Sequence, residues 1–292
     1  MTVPIGKAVL LEGLLPADVV VVELFVDPPS VDLFPQEAEV VAQAVDKRRR
    51  EFATVRLCAR AAGAQLGIAP QPIVPVQRGP AWASRAPRWP AGIVGSMTHC
   101  DGYRAAALAR SAVVASVGMD AEPNVPLPGE VRELIALPEE RRALDQLADS
   151  YPHVAWDRLL FSAKESVYKA WFPLTGRWLD FSECSIAFEP NLGTFIGSLK
   201  VPGPVVDGVR LDSFTGRWRV LDGADGGLLG TAVGVLEPRW NSASQLDPVE
   251  DVGISRCGGM FDRHAPVVSS TDIEPDRYAD APRTGLEPGG VT

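Results

Sequence analysis

The stretch from Trp156 to Phe172, WDRLLFSAKESVYKAWF, decides how this chain is read. Leu160, Ala163, Val167, Ala170 and Trp171 recur at helical spacing, which predicts an amphipathic helix with these residues turned to a core. Phe161, Glu165 and Lys169 follow at steps of four, so the same periodicity stacks an aromatic ring, a carboxylate and an ammonium in one line on the free face. A Glu and a Lys so spaced are commonly only a solvated ion pair, worth about 0.3–0.5 kcal/mol.

A second acidic cluster gives the helix more weight. Gly118-Met119-Asp120-Ala121-Glu122 arrives directly off an apolar run. In an extended chain residues i and i+2 point to the same side, so the carboxylates of Asp120 and Glu122 aim at one spot. They repel unless a cation or a proton intervenes, and an all-oxygen site suits magnesium. By spacing alone, a polar turn leaving a strand accounts for Asp120-Ala121-Glu122-Pro123 slightly better.

Outward from these two segments, the β-branched run Asp18–Phe25 predicts a buried strand. Gln36–Leu66 lacks proline and is rich in alanine, which predicts a long helix with a break inside, closed by Gly67. That helix carries Lys47-Arg48-Arg49-Arg50, then Arg56 and Arg60. Four consecutive basic residues cannot share one face, so some are solvated, while Arg48, Arg56 and Arg60 are near enough in angle for a pair to reach one anion. Guanidinium forks suit phosphate. Residues 69–92 hold six prolines and read as an irregular loop. Ile93–His99, Tyr103–Ala109 and Ser111–Asp120 read as an antiparallel meander of three strands. A charged helix is expected from Glu130 to about Asp149. After the central helix come four strands, at Trp178–Glu189, Gly193–Lys200, Gly216–Leu221 and Gly227–Leu236. The whole predicts an α+β chain of two similar halves, 1–120 and 121–236.

From Glu237 onward periodicity fails, and ten acids stand against five arginines, which predicts a disordered acidic tail over 237–292. Composition is otherwise ordinary for a globular chain of 292 residues, with 46% hydrophobic and 22% charged residues. The net charge of −9 disfavours nucleic-acid binding by bulk electrostatics. Four scattered cysteines and three dispersed histidines suggest neither a disulfide framework nor a zinc site. No apolar run reaches membrane-spanning length, and the first residues lack the pattern of a secretion signal, so a cytoplasmic location is expected.

Val117–Glu122 and Phe161–Lys169 (FSAKESVYK) resemble the two signature motifs of the Sfp-type 4'-phosphopantetheinyl transferases. Gly95-Ser96-Met97-Thr98-His99 is similar to that family's serine-x-histidine segment, and Lys47–Arg60 to its basic helix. The match covers roughly residues 20–236 and lies closest to the PptT-like actinobacterial branch, which serves polyketide, siderophore and cell-envelope lipid synthesis. The resemblance implies two α+β halves packed as an intramolecular pseudo-dimer, with coenzyme A in the cleft between them. It implies transfer of phosphopantetheine from coenzyme A to a serine of acyl or peptidyl carrier proteins, by a monomer. It assigns magnesium to Asp120, Glu122 and Glu165, the catalytic base to Glu165, and a diphosphate contact or leaving-group acid to Lys169. Coenzyme A contacts would come from Arg48, Arg56, Arg78, Thr98, His99, Asp120, Lys164, Glu165 and Lys169. The segment 78–90 is longer than its family counterpart and lacks a glutamate, so Arg78 would replace the usual lysine. Two other readings fit the carboxylates alone: another magnesium-dependent phosphotransferase or nuclease, and a coenzyme A-binding protein without activity.

Overall fold

In the computed structural model, which describes residues 10–76, 86–223 and 227–236, the first β-branched run forms strand β1 (Val20–Leu24). The proline-free stretch is two helices, α1 (Pro35–Val40) and α2 (Asp46–Gln65), so the expected break falls between them. Strands β2 (Ile93–Cys100) and β3 (Tyr103–Arg110) follow as a hairpin, turning through Gly102 at a φ of 71°, where a side chain would be strained. They form an antiparallel sheet in the order β1-β3-β2. Cys58, Ala59 and Ala62 of α2 pack on its Ala106 and Leu108; small residues on both surfaces let the helix lie close.

The next strand, β4 (Val114–Pro123), corrects the expected meander. Both sides of β3 are already taken by β1 and β2, so β4 becomes the edge of a second antiparallel sheet, ordered β4-β10-β9-β6-β5. A boundary between residues 120 and 121 would therefore cut a continuous strand. The expected tail 237–292 lies outside the described residues.

The second half continues with α3 (Gly129–Ile135), α4 (Pro138–Ser150) and α5 (Trp156–Thr175). One helix expected over 130–149 is two, because Pro138 sits at the start of α4 and disfavours helical backbone in the residue before it. Strands β5 (Cys184–Glu189), β6 (Thr194–Leu199), β9 (Ser213–Leu221) and β10 (Leu228–Leu236) complete the sheet. A small hairpin, β7 (Val205–Val206) and β8 (Val209–Arg210), interrupts the connection between β6 and β9. In each half a leading strand pairs with the last strand, β1 with β3 and β4 with β10, and a 20-residue helix crosses the sheet. The likeness of the two halves thus lies in topology, although the second sheet has five strands against three. Among the described residues no helix is long and apolar enough to cross a membrane.

Strand β4 alternates in a way that positions the site. Val117, Met119 and Ala121 enter an apolar cluster with Leu10, Leu11 and Tyr103. By the period of two, Ser116, Gly118, Asp120 and Glu122 occupy the other face, where Ser116 Oγ donates to Ala170 O of α5 at 2.8 Å. Helix α5 comes unusually near, since a Cβ added at Gly118 would stand 1.9 Å from Ser166 O. Ser162 and Ser166, one turn apart, satisfy their hydroxyls on Thr231 of β10 at 2.9 and 2.7 Å.

The two sheets meet at β2 and β4 through side chains. Ser96 Oγ accepts from Met119 N and Thr98 Oγ1 from Ala121 N, each at 3.1 Å, so hydroxyls on one edge satisfy backbone donors on the other. A second clasp comes from the N-terminal segment. Buried Glu23 of β1 accepts from Leu10, Leu11 and Glu12 N, while Arg219 of β9 donates to the carbonyls of Leu10 and Glu12.

Candidate active site

Asp120 and Glu122, two residues apart on β4, are 2% and 6% exposed, a burial that two carboxylates tolerate only with cations at hand. Lys169 Nζ lies 2.7 Å from Asp120 Oδ1 and also donates to Met119 O at 3.1 Å. Thr98 Oγ1 donates to the same Oδ1 at 3.1 Å. Arg158 Nη1 lies 3.2 Å from Glu122 Oε2 and is steadied by its Nε donating to Val125 O at 3.0 Å. Asp120 Oδ2, by contrast, is buried with no hydrogen-bond partner.

Glu165 and Lys169 sit half-buried on α5, one turn apart as the periodicity predicts. Phe161 departs from that line. It is 4% exposed and tilts against Phe181 at 6.1 Å, because α5 is covered on its outer side by α3, α4 and the 181–183 turn rather than left free. Beside Glu165 lies a small surface hollow, lined by Lys164, Tyr168, Trp178, Leu179, Asp180, Phe181 and Cys184. Burial and the nearby Glu165 push the Tyr168 hydroxyl well above its usual range, so it stays protonated.

Lys164, expected among the coenzyme A contacts, is committed elsewhere. Its ammonium, on a side chain 2% exposed, donates to Glu140 Oε2 at 2.8 Å and to the carbonyls of Ile135 and Phe181 at 2.9 Å each. All three N–H bonds are used, which leaves none for a phosphate. Burial pulls its pKa down and Glu140 only partly restores it. The reason sequence periodicity missed this is that Glu140 arrives from α4, a separate element.

Across the junction, Arg48 Nη1 reaches His99 Nε2 at 2.5 Å. A guanidinium only donates, so Nε2 accepts and the ring proton falls on Nδ1, which faces Glu51 Oε2 at 3.5 Å. Glu51 in turn pairs with Arg104, and burial raises its pKa against the pull of Arg104, Lys47 and Arg48. Arg56 lies over the Phe52 ring at 3.3 Å and donates to Ile73 O. Burial, opposed by Glu37, pushes it down to about 9, so it remains a cation at neutral pH. Arg60 is held by Glu37 at 2.9 Å. Arg78 lies outside the described residues.

Thus the structure brings Asp120, Thr98 and Lys169 into direct contact, joins Arg48 to His99, and sets Lys164 apart. Sequence reasoning missed Arg158 and Glu51. Arg158 lies seven residues before Glu165 and Glu51 three after Arg48, both helical repeats that place them on the site's side.

Among the described residues no three His, Cys, Asp or Glu side chains form a ready metal cluster. The donors nevertheless suit magnesium. They are oxygens only, one of them buried and unpartnered, and magnesium normally uses one or two carboxylates with substrate phosphate and water completing its shell.

Two family models match the chain, a 4'-phosphopantetheinyl transferase N-terminal domain over residues 36–109 and the 4'-phosphopantetheinyl transferase superfamily over residues 116–204. The gap between them falls at the step from β3 to β4. The chain is 54% identical over 232 residues to the 4'-phosphopantetheinyl transferase Svp of Streptomyces mobaraensis, covering 78% of this chain and 90% of that protein. It is 44% identical to PptT of Mycobacterium tuberculosis, covering 77% and 97%, and 47% identical to Npt of Nocardia iowensis, covering 73% and 96%, both of the same activity by name.

Proposed function

Because the chain belongs to the 4'-phosphopantetheinyl transferase superfamily, we propose that the junction between its two halves is where it works. It is a transferase, moving the phosphopantetheine of coenzyme A to carrier proteins. The carriers proposed are those of polyketide, nonribosomal peptide, siderophore and lipid synthesis. A single chain supplies both sides of the junction, which supports a monomer, and the use of coenzyme A supports a cytoplasmic setting.

Asp120, Glu122 and Glu165 would hold magnesium, which when bound supplies a Lewis acid for charge building on the leaving phosphate. The single observation that carries this reading is the buried, unpartnered Asp120 Oδ2. Lys169, already against Asp120 Oδ1, offers its ammonium to a neighbouring phosphate oxygen. Arg48, with His99 held in one tautomer, and Arg56 add positive potential on the first half for the nucleotide phosphates. Glu165, half-buried on α5 one turn before Lys169, takes the proton from the carrier serine.

The test is intact mass of an apo carrier after incubation with enzyme, coenzyme A and magnesium, with a chelator control. Glu165→Gln should slow transfer by about 10²–10⁴-fold, the usual share of general base catalysis, with some loss of magnesium affinity added because the same carboxylate is a proposed ligand. Unchanged turnover in Glu165→Gln, or full activity with chelator present, would refute the assignment.

A further inference from the structure

The two oxygens of Asp120 are treated unequally. Oδ1 receives both Lys169 Nζ and Thr98 Oγ1, and Oδ2 receives nothing although it is buried. Thr98 is 4% exposed, and its hydroxyl has one proton. Its oxygen already accepts the Ala121 N–H at 3.1 Å, which turns that proton toward Asp120. The β-branched side chain is stiff about its first torsion, and Ser96, two residues earlier, pins Met119 N in the same way. The carboxylate is therefore gripped from the opposite half of the molecule, by backbone register as well as by its own hydrogen bond.

We propose that Thr98 is a positioning residue: by holding Oδ1 from across the junction it presents Oδ2 to the divalent cation, without itself touching substrate. This rests on the reading that Asp120 holds magnesium. Lys169 is the looser of the two partners, its side chain 26% exposed and free to lean toward an incoming phosphate, whereas the Thr98 hydroxyl is buried and stays. The role also differs from a direct coenzyme A contact by the hydroxyl, whose only proton is spent on Asp120.

The test uses Mn²⁺ as the probe, titrated into the full chain with coenzyme A and no carrier, and read from loss of the free-ion paramagnetic resonance signal. Thr98→Val should weaken Mn²⁺ binding about 10-fold or more, the range seen when outer-shell partners of a metal ligand are removed. Thr98→Ser, which keeps the hydroxyl, should restore affinity to within about threefold. Thr98→Ala removes the same hydroxyl without adding volume and carries the comparison if the valine variant fails to fold. Wild-type affinity in the folded hydroxyl-free variants, with Asp120→Asn binding lost, would overturn the role of Thr98 alone. Failure of Thr98→Ser to restore binding would overturn it as well, because packing rather than the hydroxyl would then matter. Wild-type Mn²⁺ binding by Asp120→Asn would instead overturn the reading of Asp120 as a ligand.

Discussion

Replacing Gly118 with alanine probes whether close approach of α5 to β4 builds the active site. The new Cβ would stand 1.9 Å from Ser166 O and 2.6 Å from Ala170 N, both backbone atoms that no side-chain rotation can move. Restoring ordinary van der Waals contact near 3.5 Å requires helix and strand to part by about 1.5 Å. That separation breaks the 2.8 Å bond from Ser116 Oγ to Ala170 O and strains the Ser166–Thr231 pair. Overpacking of this kind costs about 1–3 kcal/mol and two buried hydrogen bonds about 1 kcal/mol each, so a loss of about 3–5 kcal/mol is expected. For a folded body of this size, the melting temperature should fall by roughly 10 °C. The same shift draws Lys169 Nζ from its 2.7 Å position on Asp120. Since a misplacement of about 1 Å costs about 10²-fold in rate, turnover should fall by at least that factor in whatever protein remains folded. Calorimetry and intact-mass assay of carrier modification at a temperature below the new transition measure the two effects separately. A melting temperature and rate indistinguishable from wild type would refute the argument that the helix is seated on a glycine.

Further outcomes follow from the buried polar groups. Lys164→Met strands Glu140 in the core and should cost about 3–5 kcal/mol in chemical denaturation, with part recovered on adding Glu140→Gln. Because burial depresses the Lys164 pKa, the unfolded chain binds the extra proton, and stability from this group rises with pH toward the free-lysine value of 10.5. The gap between wild type and Lys164→Met should therefore widen as pH rises through the alkaline range, and a gap that narrows would contradict the assigned cause. Glu23→Gln leaves one carbonyl to serve three backbone donors and Tyr103, so it should cost about 1–3 kcal/mol. Amide exchange at Leu10–Glu12 should accelerate more than exchange in α5 if the clasp is local.

Much of the site was legible because it obeys short-range periodicity. Asp120 and Glu122 share a strand face at i and i+2, and Glu165 and Lys169 share a helix face at i and i+4, whatever surrounds them. The β-branched lead strand, the alanine-rich helix and the strands of the second half likewise announce themselves locally, whereas the split of the helix expected over 130–149 at Pro138 went unread. What surrounds those residues belongs to the tertiary structure. Phe161 and Lys164 lie on α5 at positions whose burial depends on α3, α4 and the turn that covers them. Strand β4 reads like the end of a meander, yet it leads the second sheet because β1 already holds the far side of β3. Sequence by itself determined the two families of motif residues and an α+β chain of two halves, since backbone geometry sets which neighbours share a face. Only the folded chain decided that Thr98, 22 residues away, and Lys169, 49 away, meet on the same oxygen of Asp120. A contact at 3 Å between distant segments follows from how sheets and helix dock, and no spacing along the chain encodes it.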